Sequence, residues 1–353
     1  VKNLNEMVDY LKGDLHIKPT VFSAENLKTN SSNDLDFIDV KGQHTAKRAL
    51  EIAAAGAHNV IMIGSPGSGK TMLARRLPSI MPDMTFEESL EVTKIYSVAG
   101  LLKEDDNLIL KRPFRAPHHT ISAVSLIGGG RIPKPGEVSL AHYGILFLDE
   151  MPEFPKHVLE VLRQPLEDEC VTISRVNGTI TYPAKFMLVA SINPCPCGYF
   201  GDDSNRCSCS ASQIKNYLGK ISGPLMDRID LHIEVNPVKF SDLTDDGKSE
   251  SSISIKERVN KAREIQLDRY KKEGIYFNSQ LKPKHINKYC NIGKKEKELL
   301  KSAFDKYNLS ARAYNRILKV ARTIADLDGS EKINTSHIAE AIQHRTLDKK
   351  YIL

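Results

Sequence analysis

No stretch of the 353-residue sequence approaches the roughly 20 consecutive apolar residues that a membrane-spanning helix needs. The first 20 residues also lack the basic-then-apolar layout of a secretory signal. We therefore expect a soluble intracellular protein without a membrane partner. A hydrophobic content of 41% is ordinary for a chain of this length that folds around a sizeable core.

The sequence also lacks the cysteine distribution of a disulfide framework. Two of the six cysteines, Cys170 and Cys290, stand alone. The other four crowd one short stretch, as Cys195, Cys197, Cys207 and Cys209. This usage fits a reducing compartment, and we expect a cytoplasmic protein.

Charge is divided unevenly along the chain. The formal net charge is +6, but residues 247–353 contain 24 Lys and Arg against 13 Asp and Glu, which is +11 and leaves −5 for the preceding part. Nucleic acid is one partner that a basic C-terminal segment would suit. A solvated helical surface has the same composition, so both interpretations stand.

Apolar periodicity divides the chain into three parts. Residues 1–34 read as a short amphipathic helix and a polar linker, and because the chain starts with Val1 we expect a fragment whose upstream region is absent. Residues 35–241 alternate helical patterns with short apolar runs, which predicts an α/β fold with a parallel sheet between helices. Residues 242–353 open with a polar boundary and continue as a C-terminal α-helical domain.

A phosphate-binding motif lies between a strand pattern and a helix pattern. The pattern G-x-x-x-x-G-K-[ST] is matched in full by Gly64-Ser65-Pro66-Gly67-Ser68-Gly69-Lys70-Thr71. Its glycines let backbone N–H groups turn around phosphate oxygens, and the following helix N-terminus adds partial positive charge. We expect Lys70 to reach the β- and γ-phosphates of ATP and Thr71 to bind Mg²⁺. A glycine-rich turn with a chance Lys-Thr pair is the alternative.

Two further strand ends supply the rest of a nucleotide site. Asp149 and Glu150 directly follow the apolar run 145–148, so we expect Asp149 at the metal's water shell and Glu150 beside the attacking water. Asn193 follows the run 187–192, where its amide can orient that water or the γ-phosphate. Two adjacent carboxylates favour hydrolysis, since one holds metal and the other acts as base. Strand-end polarity for solubility alone is the alternative.

With these residues placed, the chain resembles AAA+ ATPases of the magnesium-chelatase-like group, and most closely the bacterial ComM/YifB family. The similarity runs over almost the whole chain. It is carried by Asp39-Val40-Lys41-Gly42-Gln43, Phe114-Arg115-Ala116-Pro117-His118-His119-Thr120, Gly128-Gly129-Gly130, Leu148-Asp149-Glu150, Asn193-Pro194-Cys195-Pro196-Cys197-Gly198, Gly223-Pro224-Leu225-Met226-Asp227-Arg228-Ile229-Asp230 and Ser310-Ala311-Arg312-Ala313-Tyr314. The family typically has an additional Lon-protease-like N-terminal domain, and residues 1–17 resemble the tail of that domain, which is otherwise absent here.

The resemblance implies a ring, usually a hexamer, in which ATP lies between neighbouring subunits. It implies that Arg228 is an arginine finger that reaches into the next subunit's site and stabilises phosphoryl-transfer charge. It also implies that Arg312 is the sensor arginine of a C-terminal helical lid, with Arg316 one turn later on the same face. Without the resemblance, Arg228 belongs to a surface ion-pair cluster with Asp227 and Asp230, and Arg312 to a solvated basic helix face.

Two segments of the expected AAA+ core resemble parts that line the pore in this group. Residues 114–120 and 128–130 are similar to its helix-2 insertion. His118 and His119 within the first segment are either pore-facing ligands or packed side chains, and we favour packing.

A β-hairpin is predicted around Asn177-Gly178, because both residues tolerate positive φ and strand patterns flank them. The equivalent hairpin in related DNA motors projects into the pore. Arg175, near the predicted tip, is therefore a candidate contact for a DNA phosphate backbone. A purely structural hairpin is the alternative.

The four crowded cysteines are candidate Zn²⁺ ligands, because thiolates suit tetrahedral zinc. Their spacing, Cys195-x-Cys197 and then Cys207-x-Cys209, is unusual beside the commoner Cys-x-x-Cys. Zinc binding and a reduced cysteine-rich loop both remain open. A zinc ion there would be structural and would lie beside Asn193.

Three functions follow from these motifs and the resemblance. The leading hypothesis is an AAA+ ATPase that couples Mg-ATP hydrolysis to DNA translocation or branch migration in recombination or natural transformation. The second is a magnesium-chelatase-type motor subunit that remodels a protein partner and is not stimulated by nucleic acid. The third is an ATP-gated scaffold with negligible turnover, against which Glu150 and Arg228 argue, since binding alone needs neither.

Overall fold

The computed structural model describes residues 1, 3–17, 35–102, 108–175, 178–202, 206–238, 249–307 and 309–345. The chain divides into two units, Val1–Ser32 and Asn33–Leu353. In the first, helix α1 (Leu4–Lys12) begins after Asn3, whose side chain accepts a hydrogen bond from the Glu6 N–H, and ends at Gly13 in the left-handed conformation. The predicted amphipathic helix is therefore present.

A parallel sheet of five strands forms the centre of the second unit. The strands of this unit are, in chain order, β1 (Val60–Ile63), β2 (Phe114–Arg115), β3 (Gly128–Gly129), β4 (Lys134–Pro135), β5 (Ile145–Leu148), β6 (Cys170–Arg175), β7 (Gly178–Pro183), β8 (Met187–Ile192) and β9 (Leu231–Glu234). The central sheet has the order β2-β5-β8-β1-β9, with every pair parallel. This confirms the predicted α/β class.

Helices surround the sheet and then form a C-terminal group. The helices before residue 240 are α2 (His44–Gly56), α3 (Lys70–Ile80), α4 (Phe86–Ala99), α5 (Ala123–Ile127), α6 (Glu137–Leu140), α7 (Lys156–Glu160), α8 (Pro165–Asp168), α9 (Ala211–Leu218) and α10 (Gly223–Met226). The C-terminal group, which we term the helical lid, consists of α11 (Ser252–Tyr270), α12 (Pro283–Tyr289), α13 (Lys294–Tyr307), α14 (Ala311–Leu327) and α15 (Thr335–Gln343). The predicted helical C-terminal domain is confirmed. Among the described residues, no helix is both long and apolar enough to cross a membrane.

The two faces of the sheet bury different sets of side chains. Along β1, Val60 and Met62 point to one face and Ile61 and Ile63 to the other, as the two-residue period of a strand requires. The first face packs against α2, α3 and the helical lid in one continuous hydrophobic cluster. The second packs against α5, α6, α7, α9, α10 and the β6–β7 hairpin. The helical lid thus shares a core with the sheet.

Two short antiparallel hairpins lie on the second face and contact each other. In β6–β7, Ile173 pairs with Ile180, and residues 176–177 at its turn lie outside the described residues. The Tyr182 hydroxyl of β7 donates a hydrogen bond to the Pro133 carbonyl of the β3–β4 connection (2.9 Å). A Cβ on Gly128 would lie 3.0 Å from the Ile173 side chain, so the two hairpins pack closely.

Residues 114–115 differ from their expected position in a pore insertion. They form β2, the edge strand of the central sheet, where Phe114 stacks on Phe147 with ring centroids 5.9 Å apart. Strands β3 and β4, by contrast, pair with each other in a separate two-stranded sheet. The apolar Phe114 ring accounts for the difference, because it is covered at the sheet and would be exposed on an insertion.

Candidate nucleotide-binding site

Three of the expected site segments meet at one edge of the sheet. Strands β5, β8 and β1 are parallel neighbours, with Leu148 paired to Ala190 and Ile63 paired to Ile192. The residues that follow these strands therefore emerge side by side at their carboxyl ends, which is where ligands bind in open α/β sheets. We term this the carboxyl edge.

The loop of residues 64–69 has the backbone shape that its glycines were expected to permit. Gly67 and Gly69 have φ values of 77° and 96°, in the left-handed region that other residues adopt at a cost. A Cβ on Gly64 would lie 2.1 Å from the Val235 carbonyl oxygen. Helix α3 begins directly after the loop at Lys70, so its N-terminus faces the concave loop.

Lys70 is held inside this loop by oxygen atoms. Its ammonium donates to the carbonyls of Gly64 (2.7 Å) and Ser65 (2.9 Å) and to Oδ1 of Asn193 (3.2 Å). Burial lowers the pKa of Lys70, although the nearby carboxylates of Asp149 and Glu150 oppose that shift. A phosphate group would supply the negative charge that this buried ammonium favours.

Thr71 and Asp149 form the expected metal-binding pair. The Thr71 hydroxyl donates to Oδ2 of Asp149 (2.8 Å), and the Ser191 hydroxyl donates to Oδ1 (2.5 Å). Hydroxyl and carboxylate oxygens are the ligands that Mg²⁺ prefers, so the donor set fits that ion. Ser191 also accepts a hydrogen bond from the Glu150 N–H (2.9 Å).

Glu150 is placed for contact with solvent and ligand. Its side chain is exposed at the carboxyl edge, and its backbone lies in the left-handed region (φ 50°), where residues other than glycine are uncommon. Such conformations persist only where the surroundings fix them, and the hydrogen bond to Ser191 contributes to that.

Two residues at the carboxyl edge are not among the site residues predicted from the sequence. Ser191 interrupts the apolar run of β8, and that break in the pattern is a signal visible in the sequence. Gln43 donates from Nε2 to the carbonyls of Ser68 (3.2 Å) and Asn236 (2.6 Å), so it ties the phosphate-binding loop to the segment after β9. No local pattern indicates that second contact, because 193 residues separate the partners.

The structure does not bring Arg228 to the carboxyl edge of its own chain. Its carbonyl accepts a hydrogen bond from Nδ2 of Asn59 (3.0 Å), the residue that precedes β1, whereas Lys70 lies beyond the other end of β1. Four strand residues at about 3.3 Å each separate these ends by roughly 13 Å. Arg228 lies at the opposite, amino edge of the sheet.

The ion-pair partner of Arg228 is neither Asp227 nor Asp230, the partners expected for it in a surface cluster. Its guanidinium pairs with Glu167 and donates to the Pro224 carbonyl (2.7 Å), and it does not pair with Asp227 or Asp230. Glu167 is 66% exposed, so the pair lies at the surface.

Arg312 and Arg316 lie on one face of α14, as expected, and both reach the segment that follows α10. Arg312 donates to Asp227 (3.1 Å) and remains 68% exposed. Arg316 pairs with the buried Asp230. Burial alone would raise the pKa of Asp230, but the Arg316 guanidinium and the His58 ring hold it well below its usual value.

A cleft of about 930 Å³ opens at the amino edge, and both Arg228 and Arg312 line it. It also contains Glu167 and Asp227, the carboxylates that pair with these two arginines. The candidate catalytic residues therefore lie at two opposite edges of the central sheet.

The remaining candidates lie elsewhere. Arg175 ends β6 and pairs with Gly178 in the hairpin register, but the placement of its side chain lies outside the described part of the structure. His119 is half-buried and packs edge-on against Phe154, with ring centroids 6.4 Å apart, which agrees with the packed position that we favour for it. His118 is exposed, and its Nδ1 is hydrogen-bonded to the Thr120 hydroxyl (2.9 Å).

The four crowded cysteines converge. Their sulfur atoms all lie within 4.8 Å of one another, with Cys195 buried and the other three half-buried. The backbone N–H of Tyr199 lowers the pKa of Cys197 to about 6. Of the remaining two, Cys170 is half-buried in β6 and Cys290 is buried after α12.

Comparison with known proteins places these features in a family. The family model of magnesium chelatase, subunit ChlI, matches residues 36–243, and the model of the ChlI C-terminal region matches residues 249–345. The chain is 46% identical over 351 residues to the competence protein ComM of Haemophilus influenzae, covering 98% of this chain and 67% of ComM. It is 44% identical over 320 residues to the uncharacterized protein YifB of Escherichia coli, covering 90% of this chain and 62% of YifB.

A more distant similarity concerns a chelatase subunit. The chain is 27% identical over 162 residues to the magnesium-chelatase 67 kDa subunit of Chlorobaculum tepidum, covering 45% of this chain and 23% of that subunit. The chain thus spans about two thirds of ComM and a smaller share of the other two relatives.

Proposed function

Since the chain belongs to the magnesium chelatase ChlI family, in the group of ComM and YifB, we propose that it is an AAA+ ATPase that moves or branch-migrates DNA. The family supports ATP binding and hydrolysis. The competence protein name of one relative supports a role in recombination or natural transformation. The proposal places the protein in the cytoplasm, with ATP and Mg²⁺ as cofactors and Zn²⁺ at the four cysteines.

The carboxyl edge supports the hydrolytic part of this proposal. Thr71 and Asp149 would hold Mg²⁺, which neutralises phosphate charge when bound. Lys70 exchanges the carbonyl oxygens of its own loop for β- and γ-phosphate oxygens. Glu150 accepts the proton of the attacking water, and Asn193 orients that water through its amide.

The amino edge supports assembly of several copies, and a hexameric ring is the form we propose. Arg228 and Arg312 lie together in one cleft, on the opposite side of the sheet from their own Lys70. An ATP site that uses them therefore takes its carboxyl edge from one copy and its arginines from the next. Their positive charge then stabilises the transferring phosphoryl group.

One observation carries the DNA part of the proposal. The packed β3–β4 and β6–β7 hairpins expose Arg131, Ile132 and Lys134, and Ile132 is 77% exposed. Two cations flanking an exposed aliphatic side chain suit a nucleic-acid backbone and its bases. Arg175, at the end of β6, adds a further cation to the same pair of hairpins.

The test is the steady-state ATPase rate with single-stranded, double-stranded and branched DNA over a salt series. We expect stimulation that falls as salt rises, because phosphate contacts release counterions. The double variant Arg131→Ala/Lys134→Ala should lose stimulation but keep its basal rate. Lys295→Ala, an exposed cation of the basic helical lid, is the matched control. Loss of DNA stimulation in the control alone would indicate that DNA binds to the helical lid and not to the hairpins.

A second function is favoured by the similarity to the 67 kDa chelatase subunit. In that case ATP turnover remodels a protein partner. An ATPase rate that no DNA changes, but that a purified protein partner increases, would replace the DNA proposal by this one.

A further inference from the structure

The cysteine cluster has the dimensions of a mononuclear tetrahedral metal site. The sulfur of Cys195 lies 3.3 Å from that of Cys197 and 3.8 Å from that of Cys207, and the sulfurs of Cys197 and Cys207 are 3.7 Å apart. Four sulfurs at about 2.3 Å from one zinc ion lie roughly 3.8 Å from one another. A disulfide would need about 2.05 Å between sulfurs. An iron–sulfur cluster would spread the four thiolates over separate irons, further apart than 4.8 Å.

The backbone around the cluster is folded to present these sulfurs. The Gly198 N–H donates to the Cys195 carbonyl (3.0 Å), which closes a tight turn, and Gly198 adopts φ 87°.

The same turn presses on the phosphate-binding loop. A Cβ on Gly198 would lie 2.5 Å from Cδ of Pro66, the third residue of that loop. On the other side, Asn193 lies two residues before Cys195 and accepts the hydrogen bond from Lys70 (3.2 Å). The cysteine turn therefore touches the nucleotide site through both Pro66 and Asn193.

We infer that Cys195, Cys197, Cys207 and Cys209 bind a structural Zn²⁺ that braces the phosphate-binding loop, so that losing the metal weakens nucleotide binding. The inference rests on the zinc assignment within the proposed function and adds the coupling to ATP. Four thiolates leave no open coordination position for water or substrate, so the metal acts by fixing the turn. Nothing in the coupling depends on DNA.

Metal content tests the first half of the inference. The chain, produced without a metal-affinity tag, should contain one zinc per chain by elemental mass spectrometry. Cys207→Ser/Cys209→Ser should contain none, while the matched control Cys170→Ser/Cys290→Ser keeps a full complement. Zinc-free wild-type protein, iron in place of zinc, or zinc retained by the first variant would overturn the site.

Nucleotide affinity tests the second half, measured by titration with a fluorescent ATP analogue. Gly198→Ala keeps all four thiols but strains the turn at its φ of 87° and pushes it away from Pro66. The fraction of this variant that is loaded with zinc should bind the analogue roughly 5- to 150-fold more weakly. Cys207→Ser/Cys209→Ser should show a similar loss, with thermal unfolding checking that it is folded. Wild-type affinity in zinc-loaded Gly198→Ala would overturn the coupling. DNA-stimulated turnover is a separate readout, so failure here is distinct from failure of the motor proposal.

Discussion

The carboxyl and amino edges of the central sheet both hold charged residues expected to act on ATP, but they hold them differently. At the carboxyl edge, Lys70 is 8% exposed and bonded to three oxygens, and Asp149 has a donor on each carboxylate oxygen. At the amino edge, Arg312 is 68% exposed and Arg228 pairs with the exposed Glu167.

The difference fits the proposed assembly, in which the groups of the carboxyl edge are fixed within one chain and the arginines of the amino edge meet a second copy. Hydrogen bonds within the chain set the geometry of the carboxyl edge before any ligand arrives, which is the preorganisation that catalysis needs. Surface ion pairs at the amino edge contribute little energy and exchange readily. In the proposed assembly, a second copy that offers a phosphate group would take over Arg228 at small cost.

Arg228→Ala should have the largest effect. An arginine finger is worth about 10³- to 10⁵-fold in kcat, so we expect a loss in that range with ATP binding unchanged. The measurement is steady-state ATPase beside nucleotide titration. Arg163→Ala, which removes another arginine paired to a glutamate, should leave the rate unchanged.

Mixing inactive variants tests whether the two edges belong to different copies. Lys70→Ala spoils the carboxyl edge and Arg228→Ala the amino edge, so a mixture of the two proteins should regain part of the ATPase activity that each lacks alone. A mixture as inactive as its components, despite co-assembly on size exclusion, would mean that both edges act within one chain.

Glu150→Gln should have the next largest effect. General-base catalysis contributes about 10²- to 10⁴-fold, and the amide cannot accept the proton. We expect kcat to fall in that range while the affinity for ATP stays within about twofold. A comparable loss of ATP affinity would instead assign Glu150 to binding.

Ser191→Ala should have an intermediate effect. It removes the donor to Oδ1 of Asp149 and the acceptor for the Glu150 N–H, so both carboxylates lose their support. Groups that orient metal ligands are typically worth about 10- to 100-fold in metal affinity or activity. The Mg²⁺ concentration for half-maximal ATPase should rise accordingly, and Ser191→Thr, which keeps the hydroxyl, should recover part of the loss.

Glu167→Gln should have the smallest effect. It frees Arg228 from its surface partner. Because exposed ion pairs are weak, we expect the protein concentration for half-maximal ATPase activity to change by at most about fivefold. The midpoint of ATPase activity against protein concentration should move to lower concentration. A shift to higher concentration would mean that Glu167 belongs to the contact between copies.

Much of the local structure was predictable because its signals are local. The apolar runs 145–148 and 187–192 coincide with β5 and β8, and α3 spans the residues expected after the glycine-rich loop. Helix α4 is not among the predicted elements, although Thr85 and Glu88 form a capping box that is legible in the sequence. Strand β9 contains His232 and Glu234, so it shows no continuous apolar run.

The sequence by itself determined the phosphate-binding loop and the carboxylates after β5, since residue type and spacing along the chain suffice for them. Only the tertiary structure decided that Ser191 supports Asp149, that Arg228 lies at the opposite edge from Lys70, and that four cysteines converge beside Pro66. Those contacts depend on strand order and on packing between residues distant in the chain. Parallel strands place all their carboxyl ends at one edge of the sheet and all their amino ends at the other. The distance between these two edges therefore arises only when the sheet has folded.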